Sequence, residues 1–179
     1  GSPQSFDDFD PVNEGAVMRR IVRVVLVGLF AIFLSAGLVS PASADVSIRN
    51  GKVADLYVRS AQPSVAQMER QYAAFWNPNL PINPKFEVSL NGNNPTVQKT
   101  LRQVMSMSRS YDFFSIQGRV LGKPVVNGNR MSLRGRGVMA GFPAQSFTYY
   151  YVRQGGLWKF DWKANCRASG CNGVKNWGY

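Results

Sequence analysis

The spacing of apolar residues changes once along this chain, and this change constrains the fold more than any other feature. Before residue 112, apolar residues recur at the three- and four-residue spacings of amphipathic helices. From Asp112 onward they alternate with polar residues, as in strands that bury one face. The order predicts an α+β fold, with two helices packed on one face of a curved four-stranded antiparallel meander.

Two segments carry the start and stop signals of helices. Ser64 and Gln67 match a capping box, and Asn77-Pro78 ends the helix that follows. Asn94-Pro95 begins the second helix with an Asn cap and a proline at the first helical position. The predicted inward faces are Val65, Met68, Tyr72, Phe75 and Trp76 in the first helix, and Val97, Leu101, Val104, Met105 and Ser108 in the second. Between the helices, the alternation in residues 84–90 predicts a short extended segment.

The C-terminal half predicts the four consecutive strands of the meander. Alternation runs from about residue 112 to Val120, and Asn127-Gly128 is the strongest short hairpin signal in the chain. The remaining strands are predicted at 129–140, 146–154 and 157–163, with Gly155-Gly156 as the last turn. No internal repeat interrupts this pattern.

The segment from Met18 to Ala44 has the layout of a secretory signal. Three arginines precede the apolar run 24–39, and Ala42-Ser43-Ala44 supplies the small residues that a signal peptidase reads. The alternative is an uncleaved anchor, with membrane contact through 21–39. Residues 1–17 are predicted to be a disordered acidic tail or a cloning remnant. The same reading predicts a leading arm at 45–62 and a globular domain at 63–179.

The charge of the chain predicts anionic partners. Lysines and arginines number 21 against 10 aspartates and glutamates, which gives a formal net charge of +11. The chain has no histidine, which excludes Ser–His and Cys–His nucleophile pairs and histidine-containing zinc sites. We therefore predict that the protein is not an enzyme and needs no cofactor. Export also argues against nucleic acid as the partner.

Three sets of residues are candidate sites. The first is a basic sheet face that would meet phosphates or sulfates, with a solvated outer face as the alternative. Its residues are Arg119, Arg130, Arg134 and Arg136, and Tyr149 and Trp162 are added as candidate binding residues. The second is an apolar pocket, for which a filled core is the alternative. Its lining would be Trp76, Phe114, Phe147, Tyr149, Trp158 and Trp162. The third is acid–base chemistry by Asp112, Asp161 or Glu87, against ordinary surface charge.

Cys166 and Cys171 predict a disulfide. In an exported chain, two cysteines five positions apart most simply close a small loop, and the loop contains a glycine that eases the closure. Two thiols are too few ligands for a metal site, and redox-active pairs are usually spaced CxxC.

The order of elements resembles the secreted actinobacterial low-molecular-weight antigen MTB12-like domain, over about residues 61–166. The matching pieces are QPSVAQMERQYAAFWNPNLP, INPKFEVSL, NNPTVQKTLRQVM and YYYVRQGGLWKFDWKANC. The resemblance implies a cystatin-like or NTF2-like fold and export, and it brings no catalytic residues.

We therefore predict a secreted or extracytoplasmic, non-catalytic domain of the cell envelope. Its partner would be an anionic lipid or glycan, or another protein. The alternatives are an NTF2-like enzyme that uses a pocket carboxylate, and a membrane-tethered accessory subunit of an envelope complex.

Overall fold

The structure is a computed structural model that describes residues 46–110, 117–138, 143–171 and 173–179. The described helices are α1 (Val65–Trp76), α2 (Ile82–Glu87), α3 (Pro95–Ser110) and α4 (Trp162–Ala168). The described strands are β1 (Val46–Ser47), β2 (Gln117–Val120), β3 (Val125–Asn127), β4 (Arg130–Val138), β5 (Gln145–Gln154) and β6 (Leu157–Phe160). Two short 3-10 turns, Ile48–Asn50 and Val53–Leu56, precede α1.

The strands form one antiparallel sheet in the order β1-β2-β4-β5-β6, and β3 also pairs with β4. The predicted α+β class is confirmed, but the described part of the sheet has six strands instead of four. One addition is β1, which pairs with β2 at the sheet edge. The other arises because the first predicted strand is broken into β2 and β3 around Gly122 (φ +86°) and Pro124. A proline has no N–H for the ladder, and a positive φ is not strand geometry.

Helix α1 begins and buries its side chains as the sequence predicts. The Ser64 hydroxyl accepts a hydrogen bond from the Gln67 N–H at 3.1 Å, and the Gln67 side chain accepts one from the Ser64 N–H at 3.0 Å. These bonds confirm the capping box, because they satisfy two backbone donors at the helix start. The side chains of Met68, Tyr72 and Trp76 are buried in the core.

Two predicted extended segments are helical. Residues 84–90 do not form a strand-like segment, because α2 occupies Ile82–Glu87 and only the residues after it extend along β6. The last strand stops at Phe160, and Asp161 caps α4 by accepting a hydrogen bond from the Ala164 N–H at 3.0 Å. Alternation over six or seven residues does not distinguish a strand from one or two helical turns, and this ambiguity explains both errors.

An aromatic core joins α1 to the inner face of the sheet. Tyr72 stacks on Phe147 with ring centroids 5.6 Å apart, and Trp76 packs against Tyr149 at 5.8 Å. The Tyr72 ring lies directly on the backbone of β2, since a Cβ atom at Gly118 would overlap it. The helix therefore sits closer to the sheet than it could above a strand with a side chain at that position.

The leading arm is packed into this core. Ile48 and Leu56 are fully buried, and the Val58 carbonyl accepts a hydrogen bond from the Trp158 N–H at 3.0 Å. Among the described residues, no helix has the length and apolar character needed to cross a bilayer. The predicted signal or anchor at 18–44 and the tail at 1–17 lie outside the described residues.

Candidate functional site

The outer face of the sheet carries the predicted arginines. Along β4, buried positions alternate with positions that reach solvent, and Met131 and Leu133 point into the core. Arg130 and Arg134 are exposed, and Arg136 is half-buried. Residues two apart on a strand lie about 7 Å apart on the same face. The strand therefore presents Arg130, Ser132, Arg134 and Arg136 in one outward row.

The pairing of β2 with β4 adds the fourth arginine. Arg119 lies directly opposite Arg136, and both are half-buried outward positions. Directly opposite side chains on an antiparallel pair have Cβ atoms about 5 Å apart, and like charges at such positions repel each other. The sheet thus concentrates positive charge at one end of β4.

Hydroxyl side chains border the arginine row on β5. Ser146 is opposite Arg136, Thr148 is opposite Arg134, and Tyr150 is opposite Ser132. Guanidinium groups only donate hydrogen bonds, whereas hydroxyls donate and accept. We call the outward residues Arg119, Arg130, Arg134 and Arg136 the basic face, and these hydroxyls form its border.

Three of the described carboxylates are engaged away from the basic face. Asp55 lies 3.7 Å from Arg70, Glu87 accepts a hydrogen bond from the Tyr57 hydroxyl at 2.6 Å, and Asp161 caps α4. In the part of the chain that the structure describes, no carboxylate forms an ion pair with Arg130, Arg134 or Arg136.

The two aromatic candidates for binding lie inside the protein. Tyr149 is 5% exposed and packs against Phe147, with ring centroids 4.2 Å apart. Trp162 is 1% exposed, and its indole N–H donates to the Ser89 hydroxyl at 3.1 Å. Neither side chain shares a surface with the arginines, so both are structural residues of the core.

The predicted apolar pocket is filled where the structure describes it. Trp76, Phe147, Trp158 and Trp162 are buried like Tyr149. The rings of Trp76, Phe147, Tyr149 and Trp162 contact one another or Phe160, and the Trp158 indole N–H donates to the Ser60 carbonyl at 2.8 Å. Phe114 and Asp112 lie outside the described residues. Among the residues that are described, no cluster of three metal-binding side chains occurs.

The disulfide between Cys166 and Cys171 closes the end of α4, as predicted, with Cα atoms 5.0 Å apart. The Cys171 N–H donates to the Cys166 carbonyl at 3.0 Å, and the Gly170 N–H donates to the Arg167 carbonyl at 3.2 Å. With Gly170 at φ +78°, this is a Schellman motif. In such motifs an apolar contact often joins the two positions that the disulfide links here. The glycine directly before the second cysteine was the sequence signal for this geometry.

The chain after the disulfide folds back onto the domain, which sequence reasoning missed. Trp177 is buried, and its carbonyl accepts a hydrogen bond from the Asn91 amide at 2.8 Å. The Tyr179 hydroxyl donates to Asp161 at 2.7 Å. Burial raises the pKa of Tyr179, and the hydrogen bond to Asp161 adds to the rise. The sequence signal for this packing was Trp177, a single tryptophan among polar residues near the C-terminus.

Comparison with known proteins gives one match. The sequence model of a family described as low molecular weight antigen MTB12, C-terminal domain, matches residues 61–175. No curated protein and no solved structure matches the chain.

Proposed function

The chain belongs to the low molecular weight antigen MTB12 family through its C-terminal domain, and on this premise we propose that it is an exported, non-catalytic binding domain. Its partner is an anionic component of the cell envelope that carries phosphate or sulfate groups. As part of the same proposal, we place the α+β body in the cystatin-like or NTF2-like class. The basic face, Arg119, Arg130, Arg134 and Arg136, is the binding surface.

The register of β4 is the observation that carries this proposal. It points Arg130, Arg134 and Arg136 to the same side, while Met131 and Leu133 enter the core. Guanidinium groups bind phosphate and sulfate oxygens through paired hydrogen bonds, and the hydroxyls on β5 supply further donors. Lipid headgroups and acidic glycans share this chemistry.

Charge reversal of Arg130 and Arg134 to glutamate is expected to abolish salt-sensitive binding to anionic vesicles. Each basic residue near an anionic membrane contributes about 1 kcal/mol, so losing two weakens binding by about thirtyfold or more. Co-sedimentation with phosphatidylcholine vesicles, with and without phosphatidylglycerol, measures the effect. The control reverses Lys52 and Lys99, two exposed lysines outside the basic face, to the same net charge.

Binding to immobilised heparin distinguishes the two sources of anion. A glycan partner predicts that Arg130→Glu with Arg134→Glu loses heparin binding while vesicle binding by the unaltered chain is weak. A lipid partner predicts that the double variant loses vesicle binding, while heparin binding by the unaltered chain is weak. Equal retention of the variant and its control on both supports would refute the basic face as the binding surface.

Export by a cleaved leader is the second part of the proposal. Met18 to Ala44 has the charged, apolar and small-residue regions of a signal, and the two cysteines form a disulfide, as is usual outside the cytoplasm. We expect protein from culture medium to begin at Asp45, as measured by N-terminal sequencing. Chains that keep residues 18–44 and occur only in the membrane fraction would instead establish the tethered accessory subunit.

The enzymatic alternative finds less support in the described carboxylates. An NTF2-like enzyme would need a carboxylate in a closed cavity beside the substrate. Glu87 is exposed and accepts a hydrogen bond from the Tyr57 hydroxyl. This bond raises the pKa of Tyr57 to about 12. Asp161 is buried as a helix cap.

A further inference from the structure

We propose that a groove beside α2 binds a neutral saccharide, at a site separate from the basic face. Four chain segments line it: α2, the turn at 91–94, the first turn of α3, and β6. Its volume is about 600 Å³, within the range of small-molecule sites. The polar lining that a ligand can reach is Asn83, Glu87, Asn93, Gln98 and Lys159, since the Ser89 hydroxyl is buried and bonded to Lys85 and Trp162. The apolar lining includes Phe86 and Leu157.

The walls of the groove are held in place by backbone hydrogen bonds. The Phe160 N–H donates to the Val88 carbonyl at 2.8 Å, and the Leu90 N–H donates to the Phe160 carbonyl at 2.9 Å. These bonds attach the end of α2 to β6. On the other wall, the Gln98 amide donates to the Gly92 carbonyl at 3.0 Å and joins α3 to the turn. A site whose walls are fixed beforehand loses little entropy when a ligand binds.

The lining offers hydrogen-bond donors and acceptors that no other group in the described residues occupies. The Asn83 and Asn93 side chains are exposed, and neither has an intramolecular partner among the described residues. Gln98 uses its NH₂ group on Gly92, which leaves its carbonyl oxygen open. Glu87 accepts the Tyr57 hydroxyl with one oxygen, which leaves the other open. A sugar hydroxyl both donates and accepts, so it pairs with either kind of group.

The charge of the lining favours a neutral ligand. Glu87 and Lys159 carry opposite charges, and the amides carry none. The groove therefore lacks the positive excess of the basic face. The apolar part of the lining, Phe86 and Leu157, is buried, and the Arg102 guanidinium lies 5.0 Å from the centre of the Phe86 ring, so a ligand is held mainly by hydrogen bonds. Glycoside hydrolysis uses two carboxyl groups, whereas the described lining has one, so the groove is suited to binding alone.

Titration with maltotetraose and with N-acetylchitotetraose, followed by NMR, tests the site. At least one of them is expected to shift the side-chain amide signals of Asn83, Asn93 and Gln98 in a saturable way. Replacing Asn83 and Asn93 together by alanine removes two ligand hydrogen bonds and should weaken binding about thirtyfold. The matched control is Asn79→Ala, an exposed asparagine outside the groove.

Added salt separates this site from the basic face. Saccharide binding in a groove with balanced charges should be unchanged by salt and by Arg130→Glu with Arg134→Glu. The proposal is overturned if neither saccharide gives saturable shifts, or if the Asn83/Asn93 double variant binds as well as Asn79→Ala. It is also overturned if the arginine variant loses saccharide binding. Each of these results leaves the vesicle and heparin experiments free to succeed or fail.

Discussion

Replacing Lys85 by methionine is expected to stabilise the protein at neutral pH by about 3 kcal/mol, because it removes a deprotonation cost of about 4 kcal/mol and loses a hydrogen bond of about 1 kcal/mol. The replacement should also flatten the stability between about pH 7 and about pH 9.5. The Lys85 side chain is 0% exposed. Its Nζ donates to the Asn77 carbonyl and lies 3.2 Å from the Met105 sulfur. Burial, and then the nearby positive charge of Arg109, lower its pKa from 10.5 to about 7.

The neutral form of Lys85 suits this site better than the charged form. An uncharged amine has two N–H donors, which match the Asn77 carbonyl and the Met105 sulfur, whereas an ammonium has three. Methionine would fill the same space beside Met105 without a proton to lose. The Asn77 carbonyl would keep a partner, because it also accepts from the Leu80 N–H at 3.3 Å.

The sign of the pH effect follows from proton binding. Between the folded pKa of about 7 and the usual value of 10.5, the unfolded chain binds the proton and the folded chain does not. Stability therefore rises with pH across this window, by up to about 1.4 kcal/mol per pH unit. Near pH 10, before this window ends, the trend reverses, since burial raises the pKa of Tyr149 and Tyr151 and the unfolded chain then loses their protons first.

Urea unfolding at several pH values measures the prediction. The unaltered chain and Lys99→Met, which changes an exposed lysine, should gain stability with rising pH, while Lys85→Met should not. Parallel curves for all three proteins would contradict the assignment of the slope to Lys85.

Replacing Asn165 by alanine is expected to lower the free energy of unfolding by about 3 kcal/mol, since three hydrogen bonds of about 1 kcal/mol each are lost. The Asn165 side chain is buried at the edge of β5, beyond the end of β6. Its oxygen accepts from the Tyr150 N–H at 3.0 Å, and its NH₂ group donates to the Tyr150 carbonyl at 2.9 Å and the Asp161 carbonyl at 2.7 Å. The Asn165 side-chain amide thus makes the hydrogen bonds to β5 that a further residue of β6 would otherwise make.

Asn165→Asp separates hydrogen bonding from packing. Aspartate has nearly the same size and accepts from the Tyr150 N–H, but it donates nothing and would face two carbonyl oxygens in a buried site. It should therefore destabilise the protein at least as much as alanine, in thermal and urea unfolding. Asn79→Ala, at an exposed position, should be near neutral. A stable Asn165→Asp variant would show that the donor bonds contribute little.

Local sequence signals predicted the elements whose determinants lie within a few residues. The capping box at Ser64 and the Asn94 cap form as expected. The predicted hairpin also forms, but its two-residue loop is Gly128 and Asn129, one residue later than the Asn127-Gly128 signal. Alternation also predicted correctly that Arg130, Arg134 and Arg136 share the outward side of β4. These features depend on spacing of two to four residues, which the sequence states directly.

Features that depend on distant partners could not be predicted in this way. Nothing in the local sequence distinguishes Asn165 from other asparagines. Its role arises because β6 ends at Phe160 and leaves the Tyr150 backbone to be bound by the Asn165 amide. Lys85 has the sequence context of a surface lysine, yet the turn at Asn77 covers it. The groove joins residues from 83 to 159, so no spacing in the chain marks it. Tertiary packing determines the environment of Asn165, of Lys85 and of the groove. Neither the residue pattern nor the secondary-structure propensities of the sequence describe that packing.

The missing side chain at Gly118 ties its evolution to that of Tyr72. An added methyl group there would collide with the phenol ring, and the ring is held between the sheet backbone and Phe147. A lineage that acquires alanine at 118 must first or simultaneously shrink the residue at 72, or its helix would lift off and open a void in a core that tolerates few. The residues at positions 72 and 118 can therefore change only together.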